Sequence, residues 1–375
     1  MERQISNVSL TGTNGSFYFD TPLETDYMLK PQKKDRLLEG VTTFDLILLK
    51  KHILGNRKIE SPYELIAADV NNSGSITAFD LIALRKAILH MDDQFPNNTS
   101  WRFVRADQDL TTVDPLGIAI KEEAYLGTLK EDNLVDFIAV KIGDLNGTTS
   151  NVQGASARST NSLLLNVADK IVTSGEIYDV TFTSTQKELA GIQFTLDYNA
   201  DAFTFVNTEI YNIVQSENIG LKYVDNGLVT LSWDNITTTN SEFEYTIRLQ
   251  AKKEGLLSEL LTMNTVLTPA LAYAADGEEM NVSLKFNPVN KDFSLLQNVP
   301  NPFTNQTTIP FNLPQQSSAK IIVMDTAGKI LKIIEDDFEK GYNEVILNNT
   351  TTTGLLYYRI ETAFGTATGK MIQLR

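Results

Sequence analysis

The chain has no cysteine and only two histidines, His52 and His90, among 375 residues. Disulfide staples, thiolate metal sites and a cysteine nucleophile are thereby excluded, and imidazole chemistry has two places to occur. No apolar run approaches the roughly 20 residues that span a bilayer, so no transmembrane segment is expected. Basic charge is also short: 32 Lys and Arg face 47 Asp and Glu, for a net charge of -15. That is the wrong sign for tracking nucleic-acid phosphates or anionic lipid heads, and no nucleic-acid partner is expected. Residues 1–10 lack the basic start and apolar stretch of a secretory signal. Later features nevertheless point outside the cell, and the chain reads as a C-terminal fragment. What is present, 42% apolar and 21% charged residues, suffices for two to four domains with cores of their own.

Hydrophobic period divides the chain. Residues 1–33 alternate apolar and polar side chains, as in Val8-Ser9-Leu10 and Phe17-Tyr18-Phe19, with turn signals at Asn14-Gly15 and Thr21-Pro22. Two or three strands are expected there. From about residue 36 the period becomes helical, and residues 42–54 align with 77–89 at an offset of 35, nine of thirteen positions being identical. Leu46, Leu49 and Ile53, like Leu81, Leu84 and Ile88, fall on one face, predicting two short amphipathic helices that pack on each other. Residues 96–150 are less regular and acidic around 107–114. Residues 151–161 are polar and rich in Ser, Thr, Asn and Gly, a linker composition.

Between 162 and 290 the period is two. Ile192, Phe194, Leu196 and Tyr198 alternate with Gln193, Thr195 and Asp197, and Val229, Leu231 and Trp233 form a similar run. These predict half-buried strands of a β-sandwich. Residues 291–375 open with Pro300, Pro302, Pro310 and Pro314 and continue as strands punctuated by Gly328, Gly341, Gly354 and Gly369. That stretch is neutral, with eight basic and eight acidic residues, so the acidic excess belongs to residues 1–290.

The strongest chemical signal lies between the helical repeats. Asp69, Asn71, Ser73 and Asp80 occupy positions 1, 3, 5 and 12 of a twelve-residue loop, with Gly74 at position 6. Oxygen side chains at that spacing around a sharp turn suit a hard cation, and calcium is the expected ion. Ser75 offers its backbone carbonyl and Thr77 a bridging water. The first repeat lacks the front of such a loop: Lys34, Arg36 and Glu39 stand where Asp69, Asn71 and Gly74 would be. Residues 143–147, Gly-Asp-Leu-Asn-Gly, look like a front without a rear. A second, split calcium site is therefore expected, with Asp144 and Asn146 at positions 1 and 3, Thr148 near position 5 and Asp45 at position 12. His52 and His90 lie near helix C-termini, where the dipole favours them, and no catalytic role follows. Trp233 and nearby tyrosines are candidates for stacking on sugar rings.

The duplicated loop and helix, Phe-Asp-Leu-Ile-x-Leu-Arg-Lys in its second copy, resembles dockerin type I domains. The resemblance implies calcium-dependent folding and docking to a cohesin partner. Residues 162–290 are similar to cohesin and related carbohydrate-binding sandwiches, and residues 1–33 resemble the tail of a transthyretin-like or collagen-adhesin B-type module. Residues 296–303, Leu-Gln-Asn-Val-Pro-Asn-Pro-Phe, with Asp325-Thr326-Ala327-Gly328-Lys329, Gly354-Leu355-Leu356-Tyr357-Tyr358 and a terminal Lys370-Met371-Ile372-Gln373-Leu374, resemble the C-terminal sorting domain of type IX secretion cargo. That resemblance implies the type IX machinery as a partner and a secreted or outer-membrane-surface location in a Gram-negative bacterium.

The sequence thus predicts a mainly β, multidomain chain of β-sandwich modules around a small α-helical insert with an EF-hand-type loop. The expected modules are 1–33, 34–150, the linker 151–161, 162–290 and 291–375. The functional expectation is a non-catalytic part of a secreted or surface protein, in adhesion or assembly. The rival is a set of accessory modules for a polysaccharide-degrading enzyme with an upstream catalytic domain. A cohesin- or dockerin-type protein or a polysaccharide is the expected further partner.

Overall fold

The computed structural model describes residues 7–33, 36–111, 114–151, 161–184, 186, 188–209, 214–236, 243–287 and 293–374. Lys34 and all but the end residues of the 151–161 linker lie outside these. The chain divides into two compact units, one of residues 1–167 and 171–285, the other of residues 168–170 and 286–375.

The first unit opens with β1 (Asp26–Leu29), followed by α1 (Thr43–Ile53), α2 (Pro62–Ala68) and α3 (Ala78–Ile88). Both repeat helices start alike. Thr42 and Thr77 cap the first turn, and Asp45 and Asp80 three residues on reach back to the cap N–H, so each box satisfies two orphan donors. Leu46, Leu49, Leu84 and Ile88 are fully buried in a shared core, with Ile53 and Leu81 at its edge. Each such side chain contributes about 1.5–3 kcal/mol, which fixes two helices too short to be stable alone. The third helix, α2, was not expected. Its signal is Ser61-Pro62, a side-chain cap followed by proline in the first turn.

Three further strands follow. Strands β2 (Trp101–Arg105) and β4 (Phe137–Lys141) pair antiparallel, and β3 (Ala124–Thr128) pairs with β1. Val140, Ile142 and Leu145 then enter the helical core, bringing the chain back beside its entry. The two or three strands expected in 1–33 reduce to β1 among the described residues. Val8 and Leu10 are 88% and 90% exposed. Alternation alone does not make a strand when no partner edge is offered.

The sandwich comprises β5 (Ser162–Ala168), β6 (Ile171–Val172), β7 (Ile177–Ser184), β8 (Leu189–Asp197), β9 (Phe203–Glu209), β10 (Ile219–Gly220), β11 (Leu228–Asp234), β12 (Phe243–Ala251), β13 (Gly255–Leu256), the short helix α4 (Leu257–Leu260), β14 (Thr262–Asn264), β15 (Leu271–Ala274) and β16 (Glu279–Asn287). The main sheet runs β10-β11-β8-β15-β16-β5-β7-β12-β9, with β14 also on β8. Its halves close on each other through Phe194 of β8 against Tyr245 of β12, and Trp233 of β11 against Phe243. Trp233 is thus a core residue, 5% exposed, and the sugar-stacking role considered for it is corrected. A second correction concerns β8 and β11. Expected to be half-buried, they are buried on both faces: Gln193, Thr195, Thr230 and Ser232 are at most 2% exposed.

In the second unit, β17 (Ser294–Leu295), β18 (Gln306–Leu313) and β21 (Gly341–Asn348) form one sheet. Strands β20 (Ile330–Phe338), β19 (Ser317–Asp325), β22 (Gly354–Thr362) and β23 (Gly365–Gln373) form the other. Phe303, Phe311, Ile321, Val323, Leu347, Ile360 and Met371 fill the space between. The Gln-Asn-Val-Pro-Asn-Pro-Phe run is a polar knot on this core. Asn298 Nδ2 donates to the Pro300 carbonyl (3.1 Å) and to Thr307 Oγ1 (2.9 Å). Its N–H donates to Tyr358 Oη, which in turn donates to the Leu296 carbonyl. Asn298→Ala should remove both side-chain donations, leaving Thr307 Oγ1 without its donor while Thr307 still serves the Pro300 carbonyl, and cost about 1–3 kcal/mol. Urea denaturation followed by circular dichroism reads that loss, and an unchanged midpoint would show the knot to be dispensable.

Candidate metal centres and the face beside them

The loop between α2 and α3 brings Asp69, Asn71, Ser73, Gly74 and Asp80 into one hydrogen-bonded turn. Asp69, 2% exposed, accepts the Ser73 N–H (2.8 Å) at one carboxylate oxygen and the Gly74 N–H (2.8 Å) at the other. Asn71 Oδ1 accepts the Ser73 N–H as well (3.1 Å). Ser73 Oγ donates to the Ser75 carbonyl (3.1 Å). Asp80, fully buried, takes the N–H groups of Asn71 (3.1 Å) and Thr77 (2.8 Å). Gly74 turns the chain at φ +77°, which a side chain would strain.

The same arrangement recurs from two distant pieces of chain. Asp144 accepts the N–H of Thr148 (3.2 Å) and of Thr149 (2.9 Å) on its two oxygens. Asn146 Oδ1 also accepts the Thr148 N–H (3.2 Å), and Thr148 Oγ1 donates to the Gly40 carbonyl (2.8 Å). Asp45, 0% exposed, accepts from Thr42 in its own helix (2.8 Å) and from Leu145, 100 residues away (2.8 Å). Asp144, Asn146, Thr148, Thr149 and Gly40 do what Asp69, Asn71, Ser73, Gly74 and Ser75 do, and Asp45 stands for Asp80, taking the amide of Leu145 at position 2 where Asp80 takes that of Asn71 at position 3. The sequence marks Gly40 only as the start of the rear half-loop, and it does not mark Thr149. A Cβ on Gly40 would collide with Thr149, the close approach that joins the two pieces.

The donor set of each loop is oxygen only: two carboxylates, an amide, hydroxyls and a carbonyl. Among the described residues no Lys or Arg pairs with Asp45, Asp69, Asp80 or Asp144, and no three His, Cys, Asp or Glu side chains converge. Burial pushes Asp45 up to about 7, and the Asp144 carboxylate adds to the rise. Asp80 is raised by burial and then by Asp69. A buried carboxylate whose ionisation a second carboxylate opposes fits a divalent, oxygen-seeking cation. The histidines stand apart. His52 Nδ1 accepts the Ile59 N–H, and burial lowers His90.

The helical pair packs on the outer face of β8, β11 and β15. The Thr43 N–H donates to Gln193 Oε1 (2.6 Å), and the Thr43 and Ser232 hydroxyls lie 2.6 Å apart in a shared hydrogen bond. Phe44 stacks on Tyr273 with ring centroids 5.3 Å apart, and Ile47 joins Ala190 and Tyr273. Asp234, its side chain fully buried, binds Lys50 (2.8 Å) and Arg85 (2.5 Å). Lys50 and Arg85 are equivalent positions of the two repeats. Thr268 Oγ1 and Thr230 Oγ1 donate to the Ile88 and Leu89 carbonyls (2.6 and 2.7 Å), two of the orphan acceptors at the end of α3. Nothing in the period-two pattern distinguishes these residues from a solvated face. The retained basic residue at 50 and 85 was the available signal.

A raised carboxylate has a definite sign. Unfolded Asp45 ionises near 4 and folded Asp45 near 7 without metal, so between those values the folded chain holds the extra proton. In chelator the melting temperature should fall as pH rises from about 4 to 7, and calcium should reverse the trend. Scanning calorimetry at four pH values measures it, and a rise with pH in chelator would contradict the assignment.

No curated protein matches the chain. Among solved structures, the sixth cohesin of scaffoldin B from Acetivibrio cellulolyticus, in complex with a Cel5 dockerin, is 13% identical, covering 34% of this chain and 100% of its own, at a TM-score of 0.25. A cohesin module from a Clostridium perfringens family 33 glycoside hydrolase is 18% identical, covering 33% and 98%, at 0.23. Scores this low carry no functional argument. No helix among the described residues is long and apolar enough to cross a membrane. Residues 39–89, which hold both repeat helices and the intact loop but stop short of the returning segment 143–149, match the dockerin type I domain.

Proposed function

We propose that this chain is a non-catalytic part of a modular secreted or surface protein, that residues 36–150 bind two calcium ions, and that 291–375 serve as a type IX export address. The modules proposed are 34–150, 162–290 and 291–375. The observation that carries the calcium reading is the shared hydrogen bonding of the front halves of the continuous loop at 69–80 and of the loop split between 144–149 and 40–45, each closed by a buried aspartate, Asp80 or Asp45. Residues Asp69, Asn71, Ser73, Ser75 and Asp80 would hold one ion, with Thr77 through water. Asp144, Asn146, Thr148, Gly40 and Asp45 would hold the other. Calcium would supply charge neutralisation that no basic side chain among the described residues provides there. The knot around Asn298 supports a folded, separable C-terminal unit of the kind a sorting domain needs.

Titration calorimetry on the full chain should count two calcium ions, and one in each of Asp69→Ala and Asp144→Ala. Because the split site joins ends about 100 residues apart, against a dozen for the other loop, closing it should weigh about 2 kcal/mol more. Asp144→Ala should therefore lower the calcium-bound melting temperature further. One ion in the parent, unaffected by Asp144→Ala, would remove the split site. Export has its own check: residues 291–375 behind a signal peptide and a reporter should reach the surface or medium of a type IX-competent host. A folded fusion held in the periplasm would contradict the address.

A further inference from the structure

Beyond calcium and export, we infer that the outer face of β8, β11 and β15 has this chain's own helical pair as its resident partner, making the pair an internal clasp and not a hook for a separate protein. Two glycines are fitted to it. A Cβ on Gly191 would stand 2.9 Å from Ile47 Cδ1 and 3.1 Å from Thr43 Cγ2, and one on Gly220 would stand 2.6 Å from the Leu89 carbonyl. Both glycines lie on sandwich strands: Gly191 is pressed first by α1, and Gly220 by Thr230 of its own sandwich together with the end of α3. Buried polar groups of the face also find partners on the helices. Gln193 and Ser232 meet Thr43, Thr230 and Thr268 meet the last carbonyls of α3, and Asp234 meets both Lys50 and Arg85. A face awaiting a foreign partner would leave these groups to water.

The repeat also shows which way round the clasp closes. Thr43 and Ala78 are equivalent, but only Thr43 carries a hydroxyl for Ser232. Phe44 lies on Tyr273 and Ile47 is 0% exposed, whereas their counterparts Phe79 and Ile82 are 72% and 50% exposed. Thr43 is therefore the orientation-setting residue. A tether of linker length holds the pair at an effective concentration of about 1 mM. A free competitor at about 1 μM would need roughly a thousandfold tighter binding to replace it.

The absence of cysteine makes the test direct. In the full chain, Thr43→Cys with Ser232→Cys should oxidise to a disulfide that leaves the protein monomeric on a non-reducing gel, with loss of both free thiols. Ala78→Cys with Ser232→Cys should keep its thiols free. Disulfide-linked dimers or ladders would mean that the pair docks between copies. A disulfide in the Ala78→Cys variant would mean the opposite orientation, and free thiols in the Thr43→Cys variant an open face. Each of these overturns the proposal. Should the double variant misfold, the unaltered protein carries an equivalent probe. Lys222 Nζ lies 2.7 Å from both Asp93 carboxylate oxygens, and zero-length carbodiimide coupling should join them within the monomer band. A coupled peptide pair found only in dimers, or absent, counts against the clasp.

Discussion

A carboxylate with no exposure, Asp45, is the point on which the first unit turns. It closes the capping box of α1 through Thr42 and accepts the amide of Leu145 from the far end of the helical module. One side chain thereby fixes the start of a helix and the return of the chain. Desolvation alone would drive it to the neutral form, and Asp144 beside it makes ionisation harder. The fold has placed Asp45 where water cannot relieve its charge, and a cation there would do so.

Order at this point propagates to the sandwich. Thr43 and Phe44 directly follow the cap, so the geometry that satisfies Asp45 also aims the Thr43 amide at Gln193 and the Phe44 ring at Tyr273. At the other end of the contact, Asp234 gathers one basic side chain from each repeat. A buried carboxylate with two partners specifies position more than it adds stability, since desolvation offsets much of the attraction. Non-polar packing of Ile47 on Ala190 and Tyr273 supplies the cohesion, and the polar pairs supply the register.

Much of this was legible in the residues. The repeat at an offset of 35 marked the helices and their caps, and the loop spacing marked Asp69 through Asp80. The half-loops at 40–45 and 143–147 pointed to each other because each lacked what the other had. What stayed hidden depends on faces meeting. Gln193, Thr195 and Ser232 alternate with apolar neighbours as residues of a solvated face would, and only the arriving helices bury them. The N-terminal alternation misled for the opposite reason: Val8 and Leu10 have the pattern of a strand but no edge to pair with. Trp233 was ambiguous between core and platform until Phe243 was found against it.

The central claim is that distant segments form one ion-dependent loop, and the backbone amides of that loop report on it. Leu145, Thr148 and Thr149 donate to Asp45 and Asp144, so their hydrogen exchange tracks whether the split loop is closed. Residue-resolved exchange of the full chain with calcium and with chelator should show these three amides slowing in calcium together with those of Ser73 and Gly74. Slowing of Ser73 and Gly74 alone, with Leu145, Thr148 and Thr149 exchanging equally in both conditions, would contradict the account.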